Sequence, residues 1–305
     1  MKRDFTQLDW NAQVADDCRQ IIRLAVREDL ERLYDWTTLA LAPQGAQGRA
    51  RIVARESGVV AGLRAVEVAI DEMQLDVRWT PALEDGAELA SGVCLGELAG
   101  STRDLLTGER TLLNLIGRLS GVATQTRRFV DAIAGTGARV YDTRKTTPGW
   151  RRLEKYAVRC GGGHNHRTGL FDAVLIKDNH LAQGKLADTP AEALAQARRF
   201  VRETLQNDEQ YERMIFEVEV DTLEQLEQVL PAGPDIVLLD NMTPDELRQA
   251  VARRNAINPQ VELEASGGVN LHTIRALAET GVERISVGAL THAAVSLDVG
   301  LDWAN

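Results

Sequence analysis

The second half of the chain alternates short apolar runs with amphipathic stretches at a nearly regular interval. ARVYD (138–142), FDAVLIK (171–177), MIFEVEV (214–220), DIVLLD (235–240), VELEAS (261–266) and RISVG (284–288) read as strands. Each is close to continuously apolar, the pattern of a parallel sheet covered by helices. The helices between them start at recognisable signals. Thr189-Pro190-Ala191-Glu192 offers a cap, a proline at the first helical position and a glutamate placed for a capping box. Thr243-Pro244-Asp245-Glu246 puts acids in a first turn, where the helix dipole favours them. Asn270 is predicted to cap a helix over LHTIRALAET.

The polar residues that close the later strands, Glu219, Asp240, Ser266 and Gly288, are roughly 20 to 26 residues apart, about one strand-and-helix unit. An open doubly wound sheet and an α/β barrel both fit that repeat. No G-x-G-x-x-G follows a first strand, and a barrel gathers its strand ends at one mouth, so the barrel is preferred. The predicted architecture is α/β, with a C-terminal TIM-like barrel, closed or partly open, over residues 117–290. The first hundred residues differ. A helix near residues 13–33 precedes Gly-bounded β segments (RARIVARESGVVAG, VRWTP, GVCLGELAG), which read as an N-terminal α+β sandwich over residues 1–116. GERTLLNLIGRLSGVATQTRRFVDAIAG is the helical connection, and residues 291–305 are expected to return to the first module.

Composition narrows the function classes. The 305 residues are 44% apolar and 26% charged, as in ordinary globular proteins. No uncharged apolar run of about 18 residues reads as a membrane span. Acids interrupt the N-terminus where a secretory signal needs an apolar stretch, so a cytoplasmic location is expected. Cys18, Cys94 and Cys160 are widely spaced, suit a reducing compartment and lack zinc-site spacing. A net charge of -10 argues against a nucleic-acid partner.

Against that acidic background, cations collect behind strands. Arg144 and Lys145 follow the first strand in DTRKTTPGW, His166 and Arg167 lie in GGGHNHRTG, and Lys177 ends the second strand. Each alone reads first as the partner of a nearby carboxylate. Together they repel, by about 4 kcal/mol per pair 4 Å apart at an effective dielectric near 20, unless an anion joins them. The cluster therefore reads as an anion receptor. Glu217 and Glu219 share one strand face and Asp240 ends the next strand. Either these acids balance the cations, or Glu219 and Asp240 hold Mg²⁺, directly or through water, together with a polyphosphate. Ser266-Gly267-Gly268 and Val287-Gly288-Ala289 let backbone N–H groups approach a phosphate, and a helix starting near Asn270 would aim its positive end there. His180 and His292 read as packing or loop residues. No Ser-His-Asp or Cys-His arrangement is evident.

DTRKTTPG, KYAVRCGGGHNHR, LIKDNH, EVEVD, LLDNM, EASGG and VGALTH, in this order and spacing, resemble the quinolinate phosphoribosyltransferase family over essentially the whole chain. The resemblance implies an N-terminal α/β sandwich, a C-terminal α/β barrel, and a homodimer or higher oligomer in which each site borrows Arg110 from the neighbouring subunit. It implies Arg144, Lys145, His166, Arg167 and Lys177 as the cations for quinolinate and phosphate. Ser266, Gly267, Gly268 and Gly288 match the phosphate loops, and Glu219 and Asp240 the acidic pair near ribose and Mg²⁺. Lys145, Lys177, Glu219 and Asp240 are then the catalytic set. The implied reaction passes the phosphoribosyl group of phosphoribosyl pyrophosphate to quinolinate with loss of CO₂, a step of de novo NAD biosynthesis. Trp150 departs from the pattern, standing where a smaller aliphatic residue is expected. A nicotinate-type phosphoribosyltransferase, a barrel aldolase with Lys177 as Schiff-base amine and a non-catalytic anion-binding paralogue are the alternatives.

Overall fold

Alternating burial sets the first sheet. Of five strands, β1 (Gln47–Ala54), β2 (Gly58–Val59), β3 (Val77–Pro81) and β5 (Cys94–Ser101) coincide closely with the Gly-bounded segments, whereas β4 (Glu88–Leu89) lies between them. β5 lies between β1 and β3, antiparallel to both, while β2 and β4 form a separate two-stranded ribbon. Three helices accompany them: α1 (Ala12–Leu30), α2 (Trp36–Leu41) and α3 (Leu63–Glu72). In α1, Asn11 caps the amides of Gln13 and Val14, and Val14, Cys18 and Ile22, spaced four apart, form the buried stripe that faces α3. α4 (Thr102–Ala132) starts six residues earlier than GERTLLN suggests, because Thr102 and Arg103 already continue from β5 in helical geometry. α5 (Arg151–Cys160) follows the DTRKTTPGW segment.

The second sheet is parallel and has six strands: β6 (Arg139–Tyr141), β7 (Ala173–Ile176), β8 (Ile215–Val220), β9 (Ile236–Asp240), β10 (Glu262–Ser266) and β11 (Arg284–Ser286). All lie inside the predicted runs. Their order is β6-β11-β10-β9-β8-β7, so the first strand pairs with the last and chain order is kept around the sheet. Among the described residues no ladder joins β6 to β7, which is the partly open form of the barrel order. α6 (Asp178–Gly184), α7 (Pro190–Thr204), α8 (Asp208–Arg213), α9 (Leu223–Val229), α10 (Pro244–Ile257), α11 (Ile274–Ala278) and α12 (Ala289–His292) occupy the connections. Thr189 and Thr243 each complete a capping box, with Glu192 and Glu246 respectively. Asn270 does not cap a helix. Its side chain accepts from the His272 amide, residues 271–273 form a turn, and the helix begins at Ile274 with five residues. The last strand, β12 (Val299–Trp303), pairs antiparallel with the outer side of β1, so the C-terminus does return to the first sheet.

This computed structural model describes residues 3–31, 33–184, 187, 189–205 and 208–304. The predicted helix over 13–33 runs onto residue 32, which lies outside them. Contacts divide the chain into two units: residues 8–128, 145–163 and 290–305 carry the antiparallel sheet, and residues 1–7, 129–144 and 164–289 carry the parallel one. The sequence reading changes module at 116/117, whereas the contact division falls inside α4 at 128/129 and assigns 145–163 to the antiparallel unit. No helix among the described residues is long and apolar enough to cross a membrane.

Replacing Thr243 with Ala removes one half of an exposed capping box without touching the core. We expect a loss of about 1 kcal/mol in unfolding free energy, read as a lower urea midpoint at unchanged slope. An unchanged midpoint would show that the cap contributes nothing.

Candidate functional site

Period-two geometry in the parallel sheet explains which side chains meet. Residues two apart along a strand share a face. The face that carries Ile215, Ile236 and Tyr141 therefore also carries Glu217 and Glu219 on β8, Leu238 and Asp240 on β9, and Glu262, Glu264 and Ser266 on β10. Ala173, Ile215, Ile236 and Tyr141 pack with Phe5 into one apolar layer. Two residues further along, the face is charged, and at the strand ends it is charged again.

The strand-end layer holds most of the predicted residues of this unit. Lys177 forms an ion pair with Glu219. Burial pushes the Glu219 carboxyl above its usual value; Lys177 opposes the shift, and Asp240 and Asp178 add to it. Asp240 accepts from Asn241 Nδ2 at 2.7 Å, and the Asn241 amide bonds to Ser266 O at 2.9 Å, which ties the loops after β9 and β10 together. Gly267 sits at φ +95°, and a Cβ there would lie 2.2 Å from Asn241 Oδ1, so both backbone and space require glycine. Gly268 is also left-handed, at φ +58°. The short, late α11 removes the predicted helix-dipole contribution at this loop, leaving the backbone of 266–268. Gly288 follows β11, where the neighbouring Val287 amide bonds to Tyr141 O at 2.9 Å.

Arg144 and Arg167 form the second group. Arg167 is buried, and its guanidinium is held below the usual arginine value first by burial and then by the charge of Arg144, with Glu217 and Asp172 partly opposing. Arg144 Nε is buried without a hydrogen-bond partner. Two guanidinium groups that weaken each other in a desolvated place are stabilised by a bound anion.

His166 is placed differently from the expectation of a substrate cation at the mouth. Its Nδ1 accepts the Arg167 amide at 2.8 Å, which leaves the proton on Nε2, and Nε2 points to Glu217 Oε2 at 2.9 Å and Glu264 Oε1 at 3.6 Å. Phe5 covers the ring at 4.2 Å between centroids. These three groups are close enough together to hold a metal ion in place of that proton. Arg284, fully buried and 3.7 Å from Glu264 through Nε, already supplies a positive charge there. Sequence reasoning missed Glu264 and Arg284; the signal was a charged residue inside an otherwise apolar strand run. It also missed Asp142, which accepts from the His166 amide at 2.9 Å and Asn165 Nδ2 at 2.7 Å and so fixes the loop carrying Arg167.

Arg110 and Lys145 belong to the antiparallel unit. Arg110 is exposed and lines a depression of about 590 Å³ with Arg118, Thr147, Trp150 and Asp298. Arg118 is committed elsewhere, reaching the fully buried Glu154 at 2.5 Å and the carbonyls of Thr291 and Ala294. Thr147 completes the Glu154 shell with its amide at 3.1 Å and hydroxyl at 2.9 Å. Lys145 is exposed, and its carbonyl accepts from Thr291 Oγ1 at 2.7 Å. His180 is exposed and accepts the Lys177 amide through Nδ1 at 2.9 Å; His292 is exposed.

A guanidinium pair, a lysine-carboxylate pair and a glycine loop at the carboxyl ends of parallel strands fit an α/β protein that handles anionic small molecules. The chain belongs to the quinolinate phosphoribosyl transferase family: the family's N-terminal domain model matches residues 35–120 and its C-terminal domain model residues 122–302. It is 46% identical over 290 residues to the nicotinate-nucleotide pyrophosphorylase (carboxylating) of Mycobacterium leprae, covering 94% of this chain and 97% of that one. A probable nicotinate-nucleotide pyrophosphorylase (carboxylating) of Bacillus subtilis is 42% identical over 254 residues, covering 83% of this chain and 82% of that one. The solved nicotinate-nucleotide pyrophosphorylase of Francisella tularensis superposes with a TM-score of 0.87 at 34% identity, covering 99% of this chain and all of that one.

Glu264 gives this site a pH signature. Burial, then the neighbouring Glu217, pushes its carboxyl up from 4.5 to about 7, opposed by His166 and Arg284. Because the folded value is the higher one, its stabilising contribution is complete below about pH 4.5 and is lost as pH rises through about 7. Glu264→Gln should therefore lose less stability than wild type between pH 4.5 and 8 in denaturant titrations. Parallel curves for the two proteins would refute the assignment.

Proposed function

We propose that the chain transfers the phosphoribosyl group of phosphoribosyl pyrophosphate to the ring nitrogen of quinolinate, with loss of CO₂. The products are nicotinate mononucleotide and pyrophosphate. One observation carries the choice of a doubly negative acceptor: the desolvated pairing of Arg144 with Arg167, which two adjacent carboxylates offset. Family membership supports the same reading.

The residues account for the chemistry without a protein nucleophile. The pyridine nitrogen attacks C1 of the ribose as the bond from C1 to the pyrophosphate oxygen breaks, through an oxocarbenium-like transition state. Arg144 and Arg167 orient the dicarboxylate, Lys177 brings positive charge toward phosphate oxygens, and the 266–268 backbone offers N–H donors. The ring nitrogen becomes a pyridinium. When the bond to the 2-carboxylate breaks, that cation stabilises the electron pair left on C2, which then takes a proton. Glu219 and Asp240 sit on adjacent strands, and Asp240 raises the cost of ionising the half-buried Glu219. They fit the role of holding Mg²⁺, directly or through water, whose charge would offset that of the departing pyrophosphate. We further propose a homodimer in which exposed Arg110 serves the neighbouring subunit's site, a reading supported by the family resemblance, and a cytoplasmic location.

Quinolinate, phosphoribosyl pyrophosphate and Mg²⁺ together should yield nicotinate mononucleotide and CO₂ in equal amounts, and chelation of the metal should stop turnover. Formation of neither product sinks the proposal. Arg144→Ala should raise quinolinate KM by about 100-fold, as expected for loss of a charge-assisted bidentate contact, while KM for phosphoribosyl pyrophosphate changes little. Asp240→Asn should instead lower kcat.

A further inference from the structure

Holding Arg167 beside Arg144 requires a scaffold that works before any anion arrives. The loop 164–167 has one on its far side. Gln7 forms a reciprocal pair with Asn165, donating from Nε2 to its carbonyl at 3.1 Å and accepting its amide through Oε1 at 2.8 Å. Phe5 stacks on His166, whose Nδ1 in turn fixes the Arg167 amide. The segment is itself anchored to the sheet. Arg3 donates to Met214 O at 3.2 Å and Glu212 at 2.9 Å, and Asp4 accepts from Tyr141 Oη at 2.9 Å and Arg139 at 3.1 Å and pairs with Arg284. Arg284 also lies over the Tyr141 ring at 4.0 Å.

We infer that residues 3–7 are a positioning strap for the acceptor site, with Gln7 as the positioning residue that sets the loop carrying Arg167 through Asn165 and His166. None of these five side chains enters the charge set that meets the substrates. The strap holds two like charges in their working geometry, so the anion does not have to organise them on arrival, which lowers the ordering cost of binding. The site gains acceptor affinity from a segment more than 150 residues away in the chain.

The inference rests on the proposed acceptor reaction, and two independent readouts keep the two apart. In Gln7→Ala, quinolinate KM should rise roughly tenfold, equivalent to about 1.4 kcal/mol, with KM for phosphoribosyl pyrophosphate and the melting temperature unchanged. Amide hydrogen exchange at 165–168 should accelerate in the substrate-free protein. Gln7→Glu, which keeps the acceptor for the Asn165 amide, should give an intermediate KM. Unchanged exchange together with unchanged quinolinate KM overturns the strap, as do equal rises in both KM values with a lowered melting temperature. If wild type does not turn over quinolinate, the reaction fails, and the exchange measurement alone decides the strap.

Discussion

A buried guanidinium has to be answered from every side, and in the parallel sheet Arg284 is answered by most of what surrounds it. The side chain has no exposure, and Asp4, Glu262 and Glu264 surround it while Tyr141 and Phe5 lie against its faces. These carboxylates share that one cation, and a buried guanidinium left without them would be costly in a low-dielectric interior. The arrangement joins three strands and the N-terminal segment through one group. It also fixes Glu264, and through Glu264 and Glu217 the direction in which the His166 ring points. The charged layer beneath the strand ends is thus the floor on which the acceptor loop rests.

Much of the frame was legible in the sequence because it depends on local rules. The six parallel strands follow from apolar runs bounded by turn signals, and the Thr189 and Thr243 boxes from four-residue patterns. Asn270 misled because a good capping residue is also a good turn residue; there the side chain closes a turn instead. The acid pair and the lysine at the strand ends were readable from alternation alone. His166 was not, since the orientation of a loop ring is decided by partners on other elements: an amide one residue away and carboxylates 51 and 98 positions on. Arg284 and Glu264 lie inside apolar runs, where the strand pattern is satisfied whether or not a charge interrupts it. The assignment of 145–163 to the antiparallel unit has no local signal, because it is carried by contacts such as Glu154 with Arg118 and Arg152 with Asp17.

Two kinds of charge arrangement therefore coexist in the parallel unit. Around Arg284 several carboxylates enclose one guanidinium, and the result is support for the sheet. Between Arg144 and Arg167 the same sign is repeated, and each cation raises the cost of charging the other. Nothing in the residue types distinguishes the two cases. The difference lies in how much opposite charge the chain itself supplies.

The pairing of β12 with β1 has a consequence for biogenesis. Residues 299–303 are translated almost 200 positions after β5, so the antiparallel sheet stays one strand short through most of synthesis. At about 5 to 20 residues per second that interval is roughly 10 to 40 s. During it the outer side of β1, with its unsatisfied amides and carbonyls, is open to mispairing on the ribosome.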